Sequence, residues 1–292
     1  MVIIIRNDND GKEIDLLNEY LFPKVFGERG CEEETLHLIN TITGKNFTSL
    51  SYVPNEMEGL HKGNKKSNVD VLVLVNDGSI INIEAQIKPQ KSFHKRSHFY
   101  NSRIYSVLLK VGDDYEELPK TYMINILDFN LLQTEDYHST LVLCEKRSKQ
   151  MIDDIMEIHY IELPKFRKEL KKGKIDLNDP ISRLTLLFNK NTSPNLIKQV
   201  INMDKSANKI YEKTLHVLKN QKEYLAYIRA EQAELDYKAQ IKYAEETGEK
   251  NGIAIGAEKN RIEIAIKLKK LDYPLKEIAK ITGMHVKEIK KL

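Results

Sequence analysis

Residues 67–90, "SNVDVLVLVNDGSIINIEAQIKPQ", place two largely apolar runs on either side of Asn76-Asp77-Gly78, a strong hairpin-turn signal. Two registers fit such a turn. A two-residue Asp77-Gly78 loop pairs Val71 with Glu84 and sends Asp70 to the opposite face. A three-residue loop with Gly78 left-handed shifts the pairing by one and sets Asp70 directly across from Glu84. Alternation selects the second register. It gathers Val71, Val73, Val75, Ile81, Ile83 and Ala85 on one wholly apolar face. Asp70, Leu72, Leu74, Ile80, Asn82, Glu84 and Gln86 fall on the other.

Around this hairpin the periodicity changes several times. "GKEIDLLNEYLFPKVFG" and "CEEETLHLINTITG" predict two short helices, each closed by a glycine. "FTSLSYV" reads as a strand, and the basic loop "HKGNKKSN" leads into the hairpin. "FHKRSHFYNSRIYSVLLKVG" predicts a long helix ended by Gly112. "TYMINILDF", "STLVLCEK" and "IMEIHYIEL" are further strands. The expected core, residues 1–165, is therefore a mixed α/β sheet flanked by helices. Residues 166–228 read as a helical extension. Residues 229–292 read as a charged helix followed by a helical hairpin. Gly248, Gly252 and Gly256 recur every fourth residue there, and each costs a helix about 1 kcal/mol against alanine. Three on one face point to close packing, here between two chains as a homodimer, or to a flexible linker.

Composition narrows the class. The 292 residues are 41% hydrophobic and 30% charged, as in a globular protein, and the net charge of +3 alone does not mark a nucleic-acid binder. Residues 229–292 carry 14 Lys and Arg against 11 Asp and Glu, so the preceding residues balance to zero. Cys31 and Cys144 form neither a metal spacing nor a disulfide framework, which fits reduced thiols. "MVIIIRNDND" holds only a four-residue apolar run, too short for a signal peptide or a membrane span. The expectation is a cytoplasmic protein with no membrane partner.

The acids carry the chemistry. In the three-residue register the Cβ atoms of Asp70 and Glu84 lie about 5 Å apart, and like charges so placed repel. A hard divalent cation such as Mg²⁺ or Mn²⁺ offsets that repulsion; it polarises a phosphoryl oxygen and acidifies its bound water. The alternative is a half-exposed hairpin whose polar face meets water, against which Leu72, Leu74 and Ile80 on that face need cover. No acid occurs between Ala85 and Lys110, whereas Lys88, Lys91, Lys95, Arg96, Arg103, Lys110, His94 and His98 do. His61, Lys62, Lys65 and Lys66 precede the hairpin. Basic tracts on both sides of a carboxylate pair suggest a polyanion led to a metal. Arg96, Tyr100 and Arg103 share one side of the long helix, suited to phosphates; the alternative is a solvated face with Tyr100 in the core.

Taken together, "NEYLFPKVFG", "SNVDVLVLVNDGSIINIEAQ", "FHKRSHFYNSRIYSVLLKVGDDY", "INILDFNLL" and "IHYIELPKF" resemble the recombination-promoting nuclease (Rpn) and transposase family, a branch of the PD-(D/E)XK nuclease superfamily. The resemblance covers nearly the whole chain, and the tail "LKEIAKITGMHVKEIKKL" is similar to the family's usual ending. It implies a restriction-endonuclease-like core and metal-dependent cleavage of DNA. By position, Asp70 matches the motif's Asp and Glu84 its Asp/Glu. Gln86 falls where many of these nucleases keep Lys, a variant found in the family at large. Glu19 matches an acid near the first helix and is implied as a third metal ligand. Gln86 can orient a water but cannot take its proton. Lys88, held extended by Pro89, is the inferred substitute on the face of Glu84 and Gln86, against a lysine that simply faces solvent. A role in recombination or transposition comes from the family name only.

In the tail, Ala279, Gly283 and Ile289 stand at helix-turn-helix offsets. The hairpin reads equally as a DNA-groove binder or as an amphipathic pair that docks or dimerises. The leading function is a divalent-metal-dependent DNA endonuclease. Its rivals are a non-catalytic DNA-binding or regulatory protein with a degenerate nuclease core, and an RNA nuclease using the same chemistry.

Overall fold

The structure, a computed structural model, describes residues 14–53, 56–57, 67–68, 70–89, 92–106, 108, 114–151 and 154–292. In chain order it contains α1 (Leu21–Phe26), α2 (Glu32–Thr43), β1 (Leu50–Tyr52), β2 (Glu56–Met57), β3 (Ser67–Asn68), β4 (Val71–Val75), β5 (Ile80–Gln86) and α3 (Phe93–Ser106). A 3₁₀ turn at Tyr115–Glu117 leads to β6 (Thr121–Leu127), β7 (His138–Val142) and β8 (Met156–Glu162). The remainder is helical: α4 (Leu163–Lys171), α5 (Pro180–Phe188), α6 (Pro194–Met203), α7 (Lys205–Lys219), α8 (Gln221–Lys270), α9 (Leu275–Thr282) and α10 (Val286–Lys291).

Six strands form a mixed sheet in the order β1-β4-β5-β6-β8-β7, in which β5, β6 and β8 run parallel. A separate ribbon joins β2 and β3. The hairpin takes the three-residue register. Gly78 has φ +87°, its N–H donates to Val75 O at 2.9 Å, and Val75 N–H donates to Ser79 O at 3.0 Å. Val71 pairs with Ile83 and Val73 with Ile81, so one further step sets Asp70 opposite Glu84.

The two sheet faces are covered differently. Val71, Val73, Val75, Ile81 and Ile83 face the main core, with Leu21, Phe22 and Phe26 of α1 and Leu38, Ile39 and Ile42 of α2. At Gly27 an added Cβ would stand 3.0 Å from Pro23 O and 3.2 Å from Val71 Cγ2, a tight fit where α1 ends against β4. On the other face Phe93 of α3 packs with Met123, Leu127, Ile158 and Tyr160, and Ile104 packs with Leu72. α3 thus covers Leu72 and Ile80, while Leu74 stays exposed.

Helices α4 to α7 contribute Phe166, Leu184, Leu186, Phe188, Val200, Ile210 and Val217 to the main core. Their starts are written in the sequence. Asp179 caps α5 ahead of Pro180, Ser193 caps α6 ahead of Pro194, and Asp204 caps α7 through the N–H groups of Ser206 and Ala207. The chain divides into two compact units, 1–230 and 231–292, so residues 166–228 fall within the first.

Some local boundaries differ from the patterning. α1 begins only at Leu21, because residues 14–20 are occupied by turns in which Asp15 and Asn18 side chains accept backbone N–H groups. α3 is described to Ser106, and Gly112 lies outside the described residues. Gly44 closes α2 in the left-handed conformation, whereas Gly27 follows α1 at φ −110°.

In the second unit, Ala265 of α8, Ile278 of α9 and Ile289 of α10 are buried together, with Leu268, Leu275, Ala279 and Met284 around them. A Cβ at Gly248, Gly252 or Gly256 would meet nothing within 4 Å. No helix among the described residues is long and apolar enough to cross a membrane.

Candidate active site

Hairpin register brings two acids together, and local hydrogen bonds interlock them. Asp70, just before β4, accepts the Ala85 N–H on Oδ2 at 2.8 Å. The Glu84 carboxylate in turn accepts the backbone N–H of Asp70. Asn82, two residues earlier on the same face of β5, approaches Glu84 Oε1 through Nδ2 at 3.4 Å. Glu84 is only 4% exposed. Burial pushes the Asp70 carboxyl up to about 6; the Ala85 N–H and Arg96 oppose this, and the charge of Glu19 adds to it. Burial, followed by repulsion from Asp70, pushes Glu84 up to about 8, with Arg96 opposing.

Arg96 brings positive charge to the site. Its Nη2 donates to Gln86 Oε1 at 2.7 Å and lies 3.9 Å from Glu84 Oε2. The guanidinium stands 4.9 Å from the Phe93 ring centre and 5.7 Å from that of Tyr100, the neighbours at i−3 and i+4. Phe93 is itself anchored in the α3-side cluster, which fixes the helix against β5. Burial raises the Tyr100 hydroxyl; Arg96 opposes that shift while Glu84 and Asp70 reinforce it. With Oε1 of Gln86 engaged, its amide NH₂ is the group left to meet a water or phosphate.

The other residues expected from sequence are placed as follows. Glu19 is exposed and its charge reaches Asp70, yet among the described residues no three His, Cys, Asp or Glu side chains group closely enough to hold a metal ion. Arg103 is buried, 8% exposed, so it is not on the open surface of α3; its charge acts on Tyr100. Lys88 is half-buried where the chain bends beyond the end of β5. Lys65 and Lys66 lie outside the described residues. Sequence reasoning missed Asn82 and Phe93. Their signals were present: Asn82 is i−2 to Glu84 on one strand face, and Phe93 is i−3 to Arg96 on one helix.

The donor set suits a hard divalent cation in part. Two acids whose ionised forms are disfavoured by burial and by each other gain from a cation between them. Asn82 Oδ1 is buried with no hydrogen-bond partner among the described residues, a further neutral oxygen on the same face. Two carboxylates leave the other positions of such an ion to water and to the phosphate it meets.

A second polar cluster lies on the sheet face away from α3. His138 Nε2 on β7 is 3.1 Å from His159 Nδ1 on β8, and His159 Nε2 is 2.9 Å from Glu157 Oε1. Lys120 Nζ reaches Glu157 at 2.7 Å and also pairs with Asp154. Burial, then His138, depresses His159 to about 4, and burial lowers His138 as well. Neutral imidazoles packed between strands serve as a structural link here.

No curated protein and no solved structure matches the chain. A family profile does: the one described as PD-(D/E)XK nuclease family transposase matches residues 16–244, a stretch that contains the hairpin acids, α3 and the whole six-stranded sheet. The fold is the restriction-endonuclease-like α/β arrangement expected of that family, and the protein belongs to it.

Proposed function

We propose that the protein is a divalent-cation-dependent DNA endonuclease, with Asp70 and Glu84 as the residues that hold the cation. The observation that carries this reading is the buried, interlocked pair of acids facing each other across the hairpin beside Arg96. When bound, a divalent cation polarises the scissile phosphoryl oxygen and acidifies the attacking water. The chain's own residues supply the rest. The Ala85 N–H orients Asp70, and the Asp70 N–H and Asn82 orient Glu84. Arg96, seated between two rings, offsets negative charge as a phosphate arrives. The Gln86 NH₂ donates to water or phosphate and takes up no proton, so general-base catalysis falls to no side chain among Asp70, Glu84 and Gln86 at neutral pH except an ionised carboxylate. Lys88, Tyr100 and the basic residues before the hairpin are the proposed phosphate contacts, and Glu19 is a proposed outer acid of the cation site.

The test is nicking of supercoiled plasmid by purified protein with Mg²⁺, with Mn²⁺ and with EDTA, beside Asp70→Asn and Glu84→Gln. Cation-dependent nicking that both substitutions abolish supports the reading. Intact plasmid with either cation, or nicking that survives both substitutions, refutes it.

A further inference from the structure

The chain's positive charge is gathered in the C-terminal unit. Residues 265–292 carry eight lysines against three acids, whereas residues 229–264 carry six Lys and Arg against eight acids. The structure shows how those lysines are displayed. Helix α9 ends at Gly283 with φ +70°, and Gly283, Met284 and His285 turn the chain into α10. Ile278, Thr282 and Ile289 point inward, with Ala265 of α8 as the third wall. One apolar face of each short helix is therefore consumed within the unit, while Ile281 of α9 stays exposed.

What α10 shows to solvent is basic. Lys287, Lys290 and Lys291 stand at i, i+3 and i+4, all exposed, with exposed His285 at the preceding cap. The only acid of α10, Glu288, is turned back to accept the His285 N–H at 3.0 Å in a capping box. Lys269 of α8 braces the far end by donating to Ile289 O at 3.3 Å and Lys290 O at 3.2 Å. Two helices joined by a left-handed glycine turn, closed on a third helix and presenting a lysine face on the second, form the frame that places a helix in a DNA groove.

We infer that this unit is a second nucleic-acid site, built from residues other than those of the cleavage site, and that it takes double-stranded DNA against the Lys287, Lys290 and Lys291 face of α10. Charge complementarity selects the occupant: three cations on one helix face with no free acid suit a phosphate backbone. A second copy of this chain meeting it α10 to α10 would set like charge against that face. It would instead suit Leu271, Tyr273 and Ile281, which are exposed on α9 and the loop before it. The inference does not depend on cleavage.

The experiment uses the full chain, a fluorescent 30-base-pair duplex and anisotropy in EDTA, so that cutting plays no part. Wild type is compared with Lys287→Glu/Lys290→Glu/Lys291→Glu, with the neutral Lys→Gln triple, and with a charge control on α8, Lys250→Glu/Lys259→Glu. The α10 reversal is expected to weaken binding by about tenfold or more and to lower the log–log salt slope by about 2–3, one phosphate per lysine. The glutamine triple should give an intermediate loss, and the α8 control less than about a twofold change. If reversal proves to unfold the unit by circular dichroism, the glutamine triple decides alone. Unchanged affinity and slope would overturn the inference. So would a change of sedimentation mass with DNA binding intact, because the face would then bind a second copy. A wild type that binds duplex through α10 but never nicks plasmid would refute the endonuclease reading and leave this one standing.

Discussion

Arg96 on α3 donates to Gln86 on β5 at 2.7 Å. The polar end of β5 thus presents an amide, and the cation beside it arrives from a helix ten residues further along the chain. Charge and amide act as one unit, so their substitutions should not be additive. Gln86→Lys alone crowds two cations and is expected to weaken Mn²⁺ affinity and nicking. Arg96→Gln alone removes the charge that opposes the upward shift of Glu84. The double variant exchanges the two groups and should recover part of both losses, with a coupling of about 1–3 kcal/mol. A Mn²⁺ titration and a nicking rate for all four proteins measure it; strict additivity would show that the two side chains work separately.

Cation binding should release protons. With Glu84 raised to about 8 and Asp70 to about 6, the pair holds roughly one proton at neutral pH. A cation favours both ionised forms and expels that proton. Mn²⁺ affinity is therefore expected to climb between pH 6 and 8 and to level off above. Calorimetry in two buffers of different ionisation enthalpy counts the protons; a count of zero at pH 7 would mean the acids are already ionised.

The same shifts make the acids a liability in the cation-free protein. A carboxyl raised in the native state is protonated there while the unfolded chain is already ionised, so stability falls as pH rises from about 4 to about 8. Glu84→Gln should stabilise the protein in EDTA at pH 8, on the order of 1–3 kcal/mol. The gain should vanish near pH 4, where both states are protonated. Thermal melts at the two pH values test this, and an equal shift at both would point to packing rather than charge.

His138 and His159 work in the opposite direction. Both are held below the usual histidine range, so their contribution is complete above about 6.5 and is lost as pH falls towards 4, when the unfolded chain takes up protons that the native pair refuses. Glu157, Lys120 and Thr140 surround the pair. His138→Gln should narrow the difference in stability between pH 7.5 and pH 5 by about 1–2 kcal/mol.

Much of the site's frame was legible before any coordinates. The hairpin register followed from local terms alone: a turn that needs a left-handed glycine and an alternation that exposes its apolar face in the wrong register. The separate helix starts at Asp179, Ser193 and Asp204 were not drawn from the pattern, in which residues 166–228 read only as one helical extension. What else escaped were relations that no local pattern encodes. The Arg96–Gln86 bond depends on how α3 docks through Phe93 and Ile104. The helical face predicted for Arg96, Tyr100 and Arg103 is divided in the structure, because Arg103 turns inward. The His138–His159 pair needs the register of β7 on β8, whose connection is long and carries no hairpin signal.

Gly78 ties register to chemistry. At φ +87° a residue with a Cβ is strained by about 1–2 kcal/mol. Gly78→Val should cost that in stability, and more in Mn²⁺ affinity, because relief through the two-residue loop would move Asp70 to the far face. Equal losses in both measurements would show that the register survives the strain.

Asp70 has two duties that can be lost independently. Its carboxylate closes the hydrogen bond of a backbone N–H at Ala85 and, by this reading, faces the cation. A lineage with no further use for the cation is not free to drift at this position: alanine or leucine strands the Ala85 donor, serine falls short of it, and asparagine keeps an acceptor of the same reach. Degenerate copies of this site should therefore carry asparagine at position 70 long before they carry anything apolar, and an asparagine there would be the mark of a scaffold preserved after its chemistry was given up.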